Sequence, residues 1–150
     1  ASLLTEVSGA SSVFEAGFVS YSNAIKTRLL NVSEKDLAEQ GAVSEAVVRQ
    51  MLCGALKSSG AEVGVSVSGI AGPNGGTADK PVGTVWLAWG SEASMQAGAF
   101  YFPGKRIFFQ QIVSALALDL IRRDLLGIDE KPTYFKQRKT PNETQVNSND

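Results

Sequence analysis

The stretch from Glu62 to Trp89, EVGVSVSGIAGPNGGTADKPVGTVWLAW, constrains the fold most. Its two ends are rich in β-branched and apolar residues, the pattern of largely buried strands. Between them lies a connection holding Gly69, Gly72, Gly75 and Gly76 together with Pro73 and Pro81. Glycine permits positive φ and lets backbone N–H groups approach a ligand closely. Successive N–H groups in such a loop can form a nest for an anion such as phosphate. The loop is not a P-loop, since no Gly-Lys-Ser/Thr follows, and a dinucleotide fingerprint would need a helix where VGTVWL reads as a strand. From composition alone, the plainer reading is a long connection that needs glycine to turn.

Around this unit the chain reads as alternating helices and strands. ASLLTEV, residues 1–7, is the end of a helix, and VFEAGFVSY, residues 13–21, alternates as a strand. A short helix is expected over about 23–30, and Ser33 opens another in a capping-box spacing with Asp36. Ser44 reads as the N-cap of SEAVVRQMLCGALKSSG, whose Val48, Met51, Leu52, Ala55 and Leu56 form one apolar stripe, with Gly60 as its stop. Strands are expected over 62–68, 82–89 and 94–102, the last two as an antiparallel hairpin. A long helix follows over about 105–126, with Ile107, Ile112, Leu116, Leu118, Leu120 and Leu125 on or near its buried side. The element order predicts an α/β fold, a three-layer α/β/α sandwich with a mixed, mostly parallel sheet. The domain is expected over 1–130. The last twenty residues, 131–150, are polar and aperiodic, and read as a disordered tail or an arm that orders on a partner.

Composition narrows the chemistry. The 150 residues include no histidine and one cysteine, and the net charge is −1. A Ser-His-Asp triad is excluded, and the commonest zinc ligand is missing. Near-neutral charge predicts no broad attraction to nucleic acid or anionic membrane, and no apolar run reaches the roughly 20 residues that span a bilayer. Cys53 lies mid-helix among apolar neighbours and reads as an inert thiol in a reducing compartment. Trp86 and Trp89, three apart in one strand, should face opposite sides of the sheet.

Acid–base work therefore falls to Lys, Tyr, Ser, Asp or Glu. YSNAIK places Tyr21 and Lys26 near one expected strand end, and Ser68 sits at another. Ligands of α/β sheets gather at such ends. A lysine of lowered pKa can take a proton from a serine, and a tyrosine can relay one. An interfacial tyrosine and a solvated lysine fit the spacing as well. Arg106 opens the long helix, where the backbone amides already favour an anion.

Four segments occur together and in order: GFVSYSNAIK, NVSEKDLAEQGAVSEAVV, VSVSGIAGPNGGTADKPVGTVWLA and FPGKR. In them the chain resembles the C-terminal domain of the competence/damage-inducible CinA family, which includes the stand-alone nicotinamide-nucleotide amidases. The resemblance covers about residues 1–126. It implies hydrolysis of the carboxamide of nicotinamide mononucleotide to nicotinate mononucleotide and ammonia, without histidine, metal or cofactor. Lys26 resembles the family's catalytic lysine and Tyr21 its tyrosine. Ser68 stands where the family usually carries Thr, as a substrate contact, and Ser11 resembles another serine near the site. Arg106 resembles the basic residue at the substrate phosphate. Gly69, Gly72, Gly75 and Gly76 would then shape the pocket near ribose or phosphate. The implied partners are a small-molecule mononucleotide and further copies of the chain, a dimer favoured, in the cytoplasm.

One departure matters. The family's nucleophile lies in a Glu-Ser-Cys-Thr-Gly-Gly motif ahead of the helix that here begins at Ala1, and that motif is not in this sequence. A preceding segment carrying it, with a strand before it, is expected. The competing readings are a nucleotide-binding or dimerising domain without catalysis, and a generic α/β domain for another phosphorylated ligand.

Overall fold

A computed structural model describes residues 1–130 and 132–137. Helices form where caps and periodicity coincide. After a single turn, α1 (Ser2–Thr5), α2 (Asn23–Leu30) starts at Ser22, whose Oγ accepts from the Ile25 N–H at 3.2 Å. α3 (Glu34–Gln40) starts at Ser33, whose Oγ accepts from the Asp36 N–H at 3.3 Å. α4 (Glu45–Ser59) ends at Gly60, which takes the left-handed φ of 74° that favours glycine. Ser44 stands at the N-cap position of α4 as read, with extended backbone, but its hydroxyl donates to the Gly41 carbonyl at 2.9 Å and caps no helix N–H. The tight turn before α4 brings that carbonyl within reach, and the hydroxyl is oriented toward the turn.

The strands β1 (Gly64–Gly69), β2 (Thr84–Gly90) and β3 (Gln96–Tyr101) form one sheet in the order β1-β2-β3. Both pairs are antiparallel, with Ser68 opposite Trp86 and Val85 opposite Phe100. The expected mostly parallel sheet is thus corrected among the described residues. A parallel pair needs a crossover, usually a helix. The β1–β2 connection has no helix and returns at the same end: Ile70 N–H donates to Thr84 O and Gly83 N–H to Ile70 O, each at 2.8 Å.

The three α/β/α layers are present. β2 is almost wholly buried because helices cover both its faces. On one side Val48, Leu52 and Leu56 of α4 pack with Ala88, Trp86 and Ala97. On the other, α5 (Arg106–Leu125) packs Phe109, Val113, Leu116 and Leu120 against Val85, Leu87, Trp89 and Phe100. The two tryptophans face opposite layers, as their spacing requires. Outside α4, Leu30, Val32, Leu37, Val47 and Met51 bind α2 and α3 to it. Gly54 makes the closest approach: a Cβ there would lie 2.0 Å from the Leu30 carbonyl oxygen.

Two further expectations are corrected. In α5, Ile107 and Leu125 are exposed, at 70% and 63%, while Phe109 and Val113 join Leu116 and Leu120 in the core. A helix apolar nearly all round leaves the choice of face to the sheet it packs on. Residues 13–21 form no strand, and Val19 is 88% exposed. Strand pairing among the described residues stops at β1, so this extended segment has no ladder to join.

The tail expectation changes for residues 132–137. α6 (Tyr134–Gln137) sets the Phe135 ring edge-on to Trp89 and Phe100, at 5.9 and 5.0 Å between centroids. The Tyr134 hydroxyl donates to Asp119 Oδ2 at 2.7 Å. Burial works against the Asp119 carboxylate, yet hydrogen bonds from Tyr134, Arg123 and Arg122 hold its pKa at about 2. The rest of the tail lies outside the described residues. No helix among the described residues is long and apolar enough to cross a membrane.

Candidate functional site

A cavity of about 840 Å³ opens along the edge of β1 that faces away from β2. It takes its walls from the 16–21 segment, α2, the turn between α3 and α4, the end of β1 and the first turns of α5. Its volume lies within the range of small-molecule sites.

Lys26 is the charged group of its inner wall. The turn of chain from Ser20 into α2 folds its side chain back under the backbone that precedes the helix. It is 6% exposed. Nζ donates to the Ser20 carbonyl at 2.8 Å and to the Tyr21 carbonyl at 3.4 Å. No carboxylate pairs with it among the described residues. Burial therefore pushes its pKa below the ordinary 10.5. Such an amine is suited to accept and return a proton.

Tyr21 and Arg106 meet at the mouth. The Tyr21 side chain is largely exposed, and its hydroxyl accepts from Arg106 Nη2 at 3.4 Å. Arg106 Nη1 donates to the Gly72 carbonyl at 3.1 Å. The guanidinium thus joins the glycine loop to the tyrosine, a bridge that spacing along the chain could not reveal.

Ser68 lies on the α4 side of β1 and lines the same cavity. Its hydroxyl donates to the Ala42 carbonyl at 2.7 Å. Gly69 lines the cavity beside it, in contact range of Phe109, where an added Cβ would come within 2.9 Å of the ring. Tyr21, Lys26, Ser68, Gly69 and Arg106 are therefore brought together.

Four other expected site residues are not. Gly72, Gly75 and Gly76 do not line the cavity. Two of them answer to packing inside the loop instead: a Cβ on Gly72 would sit 2.5 Å from Val82 Cγ1, and one on Gly76 2.7 Å from the Val82 nitrogen. Gly72 reaches the site only through the carbonyl that Arg106 holds. Ser11 lies in a separate concavity with Thr5, Val7 and Phe14.

Sequence reasoning missed the Ala42–Val43 turn, Phe109 and the tie made by Lys80. The turn lies within NVSEKDLAEQGAVSEAVV but carries no side chain suited to chemistry, and Phe109 was hidden by the all-round apolar pattern of α5. Lys80 Nζ donates to the Gln40 carbonyl at 2.5 Å, fastening the glycine loop to the end of α3. Among the described residues no cluster of three or more His, Cys, Asp or Glu could hold a metal ion.

The chain is similar in sequence and fold to known proteins. Residues 1–125 match the family described as the CinA C-terminal domain. A CinA-like protein of Colwellia psychrerythraea is 51% identical over 138 residues, which is 92% of this chain and 32% of that protein. The nicotinamide-nucleotide amidohydrolase PncC of Enterobacter agglomerans is 45% identical over 84% of this chain and 77% of its own length. The chain spans only about a third of the CinA-like relatives and about three quarters of the PncC ones. Among solved structures, the competence/damage-inducible protein CihA of Agrobacterium tumefaciens superposes with a TM-score of 0.78 at 37% identity, covering 86% of this chain and 77% of that one. ComA of Klebsiella pneumoniae superposes with a TM-score of 0.80 at 31% identity, covering 85% and 80%. A match over nearly all the described residues, including Tyr21, Lys26, Ser68 and Arg106, makes this chain a member of the CinA C-terminal domain family.

Proposed function

We propose that the cavity hydrolyses the carboxamide of nicotinamide mononucleotide, giving nicotinate mononucleotide and ammonia. The observation that carries this reading is Lys26, a buried amine of lowered pKa without a carboxylate, in one cavity with Arg106. The PncC relatives, named as nicotinamide-nucleotide amidohydrolases, support the substrate class.

In the proposed cycle, a serine hydroxyl from the motif expected ahead of Ala1 adds to the amide carbon. Neutral Lys26 takes the hydroxyl proton and returns it to the departing nitrogen. Ammonia leaves and an acyl ester remains. Water then adds to the ester, giving a proton to Lys26, which passes it to the serine oxygen as the acid leaves; the acid's own proton goes to the released ammonia, so the products are the carboxylate and ammonium. One amide and one water are consumed, and the amine and the serine are restored. Tyr21, held by Arg106, presents its hydroxyl at the mouth as the relay. Arg106 and the first amides of α5 supply the donors for the phosphate.

A second reading, binding without turnover, is favoured by one observation. Lys26 Nζ is bonded only to backbone carbonyls among the described residues, and to no side-chain hydroxyl. Ammonia release by the full-length protein separates the two. The amidase reading expects ammonia from nicotinamide mononucleotide and far less from nicotinamide, which lacks the phosphate. Tight binding with no ammonia would leave the second reading. A dimer is proposed on the resemblance alone, and sedimentation of the full-length protein as a monomer would dismiss it.

A further inference from the structure

We infer that Ser68 selects the carboxamide substrate over the carboxylate product, by acting toward the cavity as a hydrogen-bond acceptor only. The inference rests on the amidase reading above and gives one wall residue a role in specificity.

A serine hydroxyl has one proton and two lone pairs. The partner of Ser68 Oγ, 2.7 Å away, is the Ala42 carbonyl oxygen. A carbonyl oxygen can only accept, so the one proton of Ser68 is committed to it. The carbonyl belongs to the turn between α3 and α4, which is itself restrained. Ser44 donates to the carbonyl of Gly41, and Lys80 to that of Gln40. Ser68 is 8% exposed, so bulk water has little access to exchange for that contact. What remains for a ligand is lone-pair density on a residue that lines the cavity.

The two ends of the proposed reaction differ in just this respect. A carboxamide carries an NH₂ group with two donors, whereas a carboxylate has acceptors only. The amide can donate to Ser68 Oγ. The carboxylate would face it acceptor to acceptor, and a buried polar group left unpaired is costly. Sites built around one hydrogen bond reject the ligand that cannot make it, because the protein's own group is then stranded. Lys26 in the same cavity acts in the opposite sense, since its charged form attracts a carboxylate. Ser68 therefore offsets the tendency of the catalytic amine to hold the product.

Ser66 provides an internal control. It lies two residues earlier on the same face of β1, and its Oγ donates to the Val48 carbonyl at 2.6 Å. It is buried and does not line the cavity. If Ser68 were only a pin between strand and helix layer, the two serines would behave alike.

The test is the ratio of product to substrate dissociation constants, measured by calorimetry with nicotinamide mononucleotide and nicotinate mononucleotide. Full-length protein carrying Lys26→Ala is used so that neither ligand turns over. Adding Ser68→Ala should lower that ratio about tenfold, by weakening the amide and tightening the carboxylate. Ser68→Thr, which keeps the hydroxyl, should restore it, and Ser66→Ala should lower the melting temperature without moving it. Should Ser68→Ala fail to fold, Ser68→Cys, whose sulfur is a weak acceptor of similar size, should lower the ratio instead. An unchanged ratio in whichever of these two folds, with both ligands bound, would overturn the role of Ser68 alone. Binding of neither ligand, with Ser68 intact, would overturn the mononucleotide reading and this inference with it.

Discussion

Lys26 carries a cost that can be measured. Burial lowers its pKa below 10.5, so between the folded and unfolded values the unfolded chain binds the extra proton. The sign follows: the stability of the wild-type protein relative to Lys26→Met rises with pH through that window. At pH values below it the buried ammonium is a penalty, and the penalty is relieved as the amine loses its proton. Urea titrations of the two proteins across pH 7 to 10.5 should diverge in this direction. A difference that stays flat would mean that burial does not perturb the amine. The same titration should appear in turnover, as a rise in kcat/KM with an inflection below 10.5.

Arg106 does two things at once. One guanidinium nitrogen holds the loop through Gly72 and the other holds Tyr21. Arg106→Ala should therefore raise KM for nicotinamide mononucleotide about tenfold to a hundredfold, the worth of a charge-assisted contact. It should raise KM far less for a substrate lacking phosphate. Because Tyr21 also loses its partner, kcat should fall on both substrates. Arg106→Lys, a single point donor, cannot span both contacts and should recover the KM effect better than the kcat effect. Equal losses of KM on both substrates would make the residue structural.

At the scale of elements, the glycines were the strongest signal in the sequence and the most easily misread. At Gly72 and Gly76 Val82 folds close enough to leave no room for a Cβ. Gly54, in the middle of an ordinary helical stripe, gave no sign of its importance. It is where α4 crosses the end of α2, and a Cβ would overlap the Leu30 carbonyl. Gly54→Ala gains helix propensity of roughly 1 kcal/mol, but backbone overlap cannot be relieved by a rotamer change, so overpacking should win. A net loss of about 2 kcal/mol, seen as a lower denaturation midpoint with an unchanged m-value, is the expected result. A stabilised variant would mean that the two helices separate freely.

Element existence and order were largely legible, because caps and periodicity are local. Ser22, Ser33 and Gly60 stand at the ends of their helices in the expected manner. Pairing was not legible, since the direction of a strand depends on what the chain does between strands. The connection after β1 closes on itself through Ile70, Thr84 and Gly83, and that closure makes the sheet antiparallel. Likewise the 13–21 segment has a strand-like pattern, but a strand also needs a neighbour.

For the whole molecule, the site is an assembly of the two helix layers around one sheet edge. Lys26 comes from the layer of α2 and α4, Arg106 from α5, and Ser68 from the strand between them. Tyr21 of YSNAIK and Arg106 of FPGKR are 85 residues apart in the chain, and their side chains are hydrogen-bonded. Only the family resemblance could join them before the fold was known. Ser11, which the resemblance also puts near the site, lines a different concavity with Thr5, Val7 and Phe14.

Lys26 is proposed as the proton carrier of an amide-hydrolysing site. The most direct measurement is ammonia release from nicotinamide mononucleotide by full-length protein, wild type against Lys26→Ala, with circular dichroism to establish that both are folded. The wild type should release ammonia steadily, and the variant should lose at least about a hundredfold, the usual contribution of a positioned general base. A folded Lys26→Ala protein that turns over at near the wild-type rate would contradict that role.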